Sequence, residues 1–310
     1  MTVTKVAIVG LGKIARDEHV PAITASDAFS LSAIVSRNAT FDGVPSFHTL
    51  EEMLTEHPDM NAVALCVPPQ VRFDTAREAL DAGLDVLLEK PPGATLAEVE
   101  ILMDLARARG QVLFATWHSR FAAGVAPAKA WLADRSIKGV RITWHEDVRH
   151  WHPGQQWIWE AGGLGVFDPG INALSILTEI LPFPVRLVSA DLEFPSNRQT
   201  PIAADLGLSG PGGVGITASF DWCTTGPQIW RIEVETDLGT LVLNDGGARV
   251  SAAGETLSTA EALQSEYAGL YRRFAELIDR RASDVDVAPL RLVADAFLMG
   301  KRSITNPFDD

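Results

Sequence analysis

Lys90 closes the stretch Asp85-Val-Leu-Leu-Glu-Lys90-Pro91-Pro92. It follows a short apolar run, Val86 to Leu88, and precedes two prolines. Proline cannot donate to a sheet ladder, so a strand must end at Glu89-Lys90. In an open parallel sheet the carboxyl ends of the strands form the ligand crevice. An ammonium placed there can stabilise a developing oxyanion or relay a proton. A second set of groups lies in Glu160-Ala-Gly-Gly-Leu-Gly165-Val-Phe-Asp168-Pro169-Gly-Ile-Asn172, which reads as a flexible glycine loop running into a helix. Pro169 fits the first helical position and makes Asp168 an expected N-cap. Asn172 follows at i+4, so both side chains can address one ligand. A capping aspartate still accepts a proton through its second oxygen.

Glu146 is the third clue. Val140, Ile142, Trp144, Glu146 and Val148 share one face of a strand that is otherwise apolar there. A carboxylate on that face must be paired or must bind a ligand. His145 points the other way, so His145, Glu146, His150 and His152 are not expected to bind a metal. Trp144, Trp151, Trp157 and Trp159 fall close together, in a chain with eight tryptophans and two tyrosines. Trp151-His152-Pro-Gly-Gln-Gln-Trp157-Ile-Trp159 is loop-like and rich in donors. Indole faces with His, Gln and Glu beside them suit a sugar ring and its hydroxyls.

The elements that position these groups fall into two patterns. Residues 5 to about 119 alternate strand and helix, with strands near 5–9, 31–35, 62–67, 85–89 and 112–117 and helices near 13–26, 49–56, 71–82 and 95–109. This is the pattern of a doubly wound α/β domain with a parallel Rossmann sheet, over 1–119. From residue 138 the apolar period becomes two, at 140–148, 186–194, 213–222, 230–235 and 239–243. Helices are expected at 169–181, 267–279 and 289–301. The second domain, 120–310, is thus expected to be α+β, with a large, mainly antiparallel open sheet and helices on one face.

The first strand, Val6-Ala-Ile-Val9, leads into Gly10-Leu-Gly12-Lys13-Ile14-Ala15. This G-x-G-x-x-A pattern stands at a strand-to-helix junction, where Gly10 permits the turn, Gly12 lets the backbone approach a pyrophosphate and Ala15 lets the helix pack on the strand. The second strand ends in Ser36-Arg37, with no carboxylate to hold a ribose 2′-hydroxyl. Arg37 can pair with a 2′-phosphate, so NADP is expected in preference to NAD. Lys13, Ile14, Cys66, Pro68, Glu89 and Lys90 complete the cofactor-lining positions expected at these strand ends.

Length and composition bound the function. The chain has 310 residues, enough for about two domains. Its net charge of −14 argues against a nucleic-acid or anionic-membrane partner. Two cysteines make no disulfide framework, no apolar stretch reaches the ~18 residues of a membrane helix, and no basic leader precedes the first strand; a cytoplasmic location is expected.

Together these features resemble the glucose–fructose oxidoreductase/inositol dehydrogenase (Gfo/Idh/MocA) family. The resemblance is carried by Gly10-x-Gly12-x-x-Ala15, Glu89-Lys90-Pro91 and Gly162-Gly163 through Asp168 to Asn172, and it covers essentially the whole chain. Longer runs, such as Phe114-Ala-Thr-Trp-His-Ser-Arg120 and Phe167-Asp-Pro-Gly-Ile-Asn-Ala-Leu-Ser175, are closest to the branch of bacterial aldose 1-dehydrogenases. The resemblance implies oxidation of C1 of an aldopyranose, L-arabinose or D-galactose, to the aldonolactone with NAD(P)⁺. Lys90, Asp168 and Asn172 become the catalytic candidates. Lys90, His118, Glu146, Trp151, His152, Asp168, Asn172 and Trp230 become the sugar-binding candidates, and His118 is also a cofactor contact at a Rossmann strand end. The family often has a histidine four residues after its catalytic-region aspartate. Asn172 stands there instead, which moves the proton transfer to Asp168 with Lys90. Two other activities fit the same scaffold: oxidation of a non-anomeric hydroxyl, as in inositol dehydrogenases, and non-catalytic sensing of sugar and dinucleotide. The second-domain sheet offers a face for a homo-oligomer.

Overall fold

The computed structural model describes residues 3–258 and 263–309, without side-chain detail at 263–265. The chain divides into two compact units, Met1–His118 with Leu263–Val287, and Ser119–Ala262 with Ala288–Asp310. The sequence reading assigned all of 120–310 to the second domain; residues 263–287 instead join the first unit.

The first unit contains β1 (Thr4–Val9), α1 (Val20–Thr24), β2 (Phe29–Val35), β3 (Ser46–Phe47), α2 (Leu50–Glu56), β4 (Ala62–Leu65), α3 (Pro69–Asp81), β5 (Asp85–Leu88), α4 (Leu96–Arg109) and β6 (Leu113–Ala115). The strands form one parallel sheet in the order β3-β2-β1-β4-β5-β6. β4 and β5 are buried throughout, as the continuous apolar runs require. The expected helix at 13–26 is a helical stretch over 13–24 whose turn Ala15–His19 is π-helical. α2 and α4 each begin with a capping box, Thr49 with Glu52 and Thr95 with Glu98. β3, at the sheet edge, has only two residues and so carries no readable period.

The second unit contains α5 (Val125–Leu132), β7 (Ile137–His145), α6 (Val148–Trp151), α7 (Phe167–Ile180), β8 (Arg186–Pro195), β9 (Ala203–Ser209), β10 (Gly215–Asp221), β11 (Ile229–Thr236), β12 (Gly239–Asn244), β13 (Arg249–Ala252) and β14 (Glu255–Ser258). The chain then returns to the first unit as α8 (Leu263–Arg280). It finishes in the second as α9 (Ala288–Met299) and β15 (Lys301–Thr305). The second sheet has the order β14-β13-β12-β11-β7-β10-β9-β8-β15. Among the described residues only the β7/β10 and β8/β15 pairs of this sheet are parallel. One face is apolar: Val140, Ile142 and Trp144 of β7 alternate with more exposed neighbours, and α7 is buried along most of its length. The expected helix at 289–301 stops at Met299, and Lys301 starts an edge strand.

α8 carries a stripe of buried residues, Tyr267, Leu270, Tyr271, Phe274 and Leu277, at helical spacing. Phe274 stacks on Phe29 of β2 at 5.6 Å, and Tyr271 meets the same ring edge-on at 5.5 Å. Beyond α8, Asp284 bridges to Phe114 and the Ser283 hydroxyl accepts the Leu113 N–H at 3.0 Å, so this segment covers the β6 edge. Among the described residues no helix is long and apolar enough to cross a membrane.

Candidate active site

In the first unit Lys90 sits two residues beyond β5, as the two prolines dictate, and its bond to Pro91 is cis. Glu89, directly before it, is buried, and both of its oxygens are engaged within the unit. Oε2 accepts the Lys90 backbone N–H at 2.5 Å. Oε1 accepts the Tyr267 hydroxyl at 2.6 Å and lies 3.2 Å from His19 Nε2. His19, wholly buried in the π-helical turn, meets the Tyr271 hydroxyl at 2.8 Å through Nδ1. Burial works to raise the Glu89 pKa. The hydrogen bond and charge of His19, the charge of His118 and the Tyr267 hydroxyl outweigh it and hold the carboxyl well below the usual carboxylate range. Burial likewise disfavours an imidazolium at His19, but Cys66, Tyr271 and Glu89 around the ring keep it charged well above its ordinary pKa. Burial and the charge of Glu89 push the Tyr267 hydroxyl well up, and burial lifts that of Tyr271 to about 12. Arg72 of α3 is buried beside this group. Its guanidinium donates to the backbone carbonyls of Glu89, Pro91 and Val67.

His118 lies just past β6, largely buried, with Nδ1 2.7 Å from Glu266 Oε2 and its ring stacked on Tyr267 at 5.4 Å. A carboxylate on Nδ1 fixes the orientation of the ring.

The glycine turn of this unit fits a dinucleotide. Gly10 has φ +92°, and a Cβ there would lie 2.8 Å from Val67 Cγ1 and 2.9 Å from Val67 N, so glycine is required. A Cβ on Gly12 would meet nothing within 4 Å; the backbone there faces open space, as a phosphate-cradling glycine must. Lys13 and Ile14 are exposed beside it, and Lys13 pairs with Asp17. Arg37 is exposed just past β2, and Arg16 donates to the Thr40 carbonyl at 3.1 Å, tying down the loop that carries Ser36 and Arg37. Cys66 and Pro68 are half-buried past β4.

In the second unit Glu146 is 4% exposed, on the apolar face that its spacing predicted. Two indoles reach it: Trp222 Nε1 donates to Oε1 at 3.0 Å and Trp230 Nε1 to Oε2 at 2.9 Å. A carboxylate accepts about four hydrogen bonds, and the indoles supply two of them. Trp151 packs on Trp230 at 5.5 Å and donates to Gln228 Oε1 at 2.9 Å. His152 packs on Trp222 at 5.3 Å and its Nε2 lies 3.4 Å from Asp168 Oδ2. The unit therefore gathers Glu146, Trp151, His152, Asp168 and Trp230 through shared aromatic contacts, with Asn172 one turn along α7 from Asp168. His145 turns away to Ser219 Oγ at 3.1 Å. Among the described residues no cluster of three or more His, Cys, Asp or Glu side chains could hold a metal ion.

Two local expectations differ from the structure. Asp168 is not the N-cap of α7: Val166 occupies that position and Asp168 lies in the first turn. Pro169 is tolerated there because the first four helical N–H groups have no intrahelical acceptor. The glycine loop is closely packed and not free. A Cβ on Gly163 would lie 2.4 Å from the Trp157 carbonyl oxygen, and one on Gly165, at φ +54°, would lie 2.3 Å from that of Pro201.

The sequence reading did not single out Arg72, Trp222, Glu266, Tyr267 or Tyr271, and it gave His19 no role. A signal for part of this set was present: the only two tyrosines of the chain lie four apart on one helix, a spacing that puts both hydroxyls on one face.

Residues 4–116 match the family model described as "Oxidoreductase family, NAD-binding Rossmann fold". Galactose 1-dehydrogenase of Pseudomonas fluorescens is 45% identical over 306 residues, covering 99% of both chains. The crystal structure of a D-galactose-1-dehydrogenase protein from Rhizobium etli superposes with a TM-score of 0.95 at 54% identity, covering 100% of this chain and 99% of that one. A 3-ketoreductase from Actinomadura kijaniata, 18% identical, has the same fold, with a TM-score of 0.83 over 98% of this chain and 100% of its own.

Proposed function

The chain belongs to the Gfo/Idh/MocA oxidoreductase family, and from that premise we propose that it oxidises C1 of D-galactopyranose to the aldonolactone with NAD(P)⁺. The observation that carries this reading is the full-length likeness to a galactose 1-dehydrogenase. The indole-held Glu146 beside Trp151 and His152 supports it, because aromatic faces around a desolvated carboxylate suit a ring bearing several hydroxyls. L-arabinopyranose has the same hydroxyl arrangement at C2, C3 and C4, so it is a second substrate. Arg37, in the place of a ribose-binding carboxylate, makes NADP⁺ the preferred acceptor.

Gly10, Gly12, Lys13, Ile14, Ser36, Arg37, Cys66 and Pro68 hold the dinucleotide, which when bound supplies the acceptor for the C1 hydride. Asp168 takes the proton of the C1 hydroxyl as general base. His152, at Asp168 Oδ2, orients that carboxylate. Lys90 stabilises the negative charge that develops on the same oxygen as the C1–H bond breaks. Asn172 orients the hydroxyl and leaves the proton to Asp168, since an amide is no base at neutral pH. Glu146, with Trp151 and Trp230, takes the remaining ring hydroxyls, and His118 is a further contact for the substrate and the cofactor.

The test is initial rates of nicotinamide reduction with D-galactose, L-arabinose and myo-inositol, each with NADP⁺ and NAD⁺, and identification of the product. Turnover of the two aldoses to lactones, faster with NADP⁺, supports the reading. A ketone product, or turnover of myo-inositol alone, overturns it.

A further inference from the structure

The backbone around Lys90 is held on both sides by buried charge. Its own N–H goes to Glu89 Oε2 at 2.5 Å. The carbonyls before and after it, of Glu89 and Pro91, both accept from Arg72, which is 2% exposed. Behind Glu89 stand Tyr267 and His19, and behind His19 stands Tyr271. A residue just past a strand end has no ladder to fix it, and a buried carboxylate is costly unless fully paired. An apolar side chain would close this space at less cost. What the carboxylate adds is direction, because it accepts from the reactive residue's own backbone and is itself held from behind by two groups on other elements.

We propose that Glu89 is a positioning residue for Lys90, and that His19 and Tyr267 hold its carboxylate in the one orientation that fixes the Lys90 main chain. The proposal rests on the catalytic reading of Lys90 given above. It also gives the Glu89 side chain a different task from contact with the cofactor, since both oxygens are engaged inside the unit. Glutamine cannot do this work. All the neighbours, Lys90 N–H, the Tyr267 hydroxyl and an N–H of charged His19, are donors, and an amide offers one acceptor end and one further donor end. The NH₂ end of the glutamine side chain would place donor against donor, and the Lys90 turn would relax.

The test uses the full-length enzyme and the variants Glu89→Gln, Lys90→Ala and their combination, with kcat and both KM values for D-galactose and NADP⁺. Amide hydrogen exchange at Lys90 is measured without ligands. Glu89→Gln is expected to lower kcat about 10- to 100-fold, as a misplacement of about an ångström does, while leaving the KM for NADP⁺ within about threefold. In the Lys90→Ala background the same change should cost less than about twofold, because a residue that acts through Lys90 has nothing left to position. Lys90 amide exchange should be faster by about tenfold or more, as for the loss of a charge-assisted hydrogen bond. Losses that multiply in the double variant, or unchanged exchange, overturn the proposal and leave Lys90 catalytic. Near-normal turnover of Lys90→Ala overturns the reading of Lys90 and the proposal with it. If Glu89→Gln fails to fold, Tyr267→Phe, which deletes a single oxygen, enters the same cycle. There a drop in kcat that disappears without Lys90 supports the proposal, and one that persists overturns it.

Discussion

Replacing Glu146 with glutamine isolates one charge at the proposed sugar-binding part of the second unit. The side chain keeps its length and shape, so the packing of Trp222 and Trp230 is preserved. What changes is the hydrogen bonding. Both indoles are donors, at 3.0 and 2.9 Å from the two carboxylate oxygens, and glutamine offers an oxygen to one and an NH₂ to the other. One buried indole N–H is left facing a donor, a penalty of about 1–3 kcal/mol. For a domain of about 150–250 residues that lowers the melting temperature by about 2–4 °C per kcal/mol. The second effect is on substrate. A sugar hydroxyl that donates to an ionised carboxylate loses a bond worth about 1.5–3 kcal/mol, which is about 10- to 150-fold in affinity. The loss should appear chiefly in the KM for D-galactose, with kcat reduced less, because ring hydroxyls away from C1 are held equally in ground and transition states. Steady-state kinetics at saturating NADP⁺, with melting curves on the same preparations, reads both effects. A variant that melts several degrees lower but keeps the wild-type KM for galactose would refute the sugar-binding role and leave Glu146 as a purely structural acceptor for two tryptophans.

Four further outcomes are expected. Arg37→Ser should raise the KM for NADP⁺ about tenfold or more, the worth of a charge-assisted bond to phosphate, and leave that for NAD⁺ unchanged; equal effects on both would refute 2′-phosphate recognition. Asp168→Asn should lower kcat about 10²- to 10⁴-fold, whereas near-normal turnover assigns the base elsewhere. The pair Glu89–His19 should stabilise the protein most between their ordinary pKa values, 4.5 and 6.5. The depressed Glu89 contributes above 4.5 and loses its contribution as pH falls toward its folded value, and the raised His19 contributes below 6.5 and loses its contribution as pH rises through its folded value. The melting-temperature gap between wild type and His19→Gln should therefore narrow from pH 6 to pH 9, and a constant gap would show that His19 is not charged in the fold. Gly165→Ala should destabilise by about 1–3 kcal/mol through overpacking against the Pro201 carbonyl, and an unchanged melting temperature would contradict the close approach seen there.

Much of this fold is legible in the sequence because its signals are local. The continuous apolar runs at Val6–Val9 and Ala62–Leu65 sit on both-sides-buried strands. The period-two run through Val140, Ile142 and Trp144 puts Glu146 on the buried face, which spacing alone predicts. Its partners are not local. Trp230 is a candidate only through the resemblance and Trp222 is not singled out, because both meet Glu146 only when β10 and β11 flank β7. The same limit hid His19, whose π-helical turn has no simple residue pattern, and Tyr267, which reaches Glu89 across 178 positions of sequence. The glycine loop was misread for another reason. Gly162, Gly163 and Gly165 suggest freedom from their composition, but close backbone approach by Trp157 and Pro201 is a tertiary fact. Asp168 was expected as a cap because Pro169 marks a helix start, and proline tolerates any of the first turn's positions.

The return of α8 to the first unit has a consequence for how the chain is made. When β5 leaves the ribosome, Glu89 has no Tyr267 to accept from and His19 has no Tyr271. At about 5–20 residues per second, the 178 positions between Glu89 and Tyr267 amount to a wait of about 10–35 seconds. For that interval the nascent sheet carries a carboxylate and an imidazole in a space that the finished protein seals with aromatic rings. The unit that is started first therefore stays unfinished until nearly all of the chain has been made, and a ribosome-bound chain stalled before residue 263 should expose the face that α8 covers.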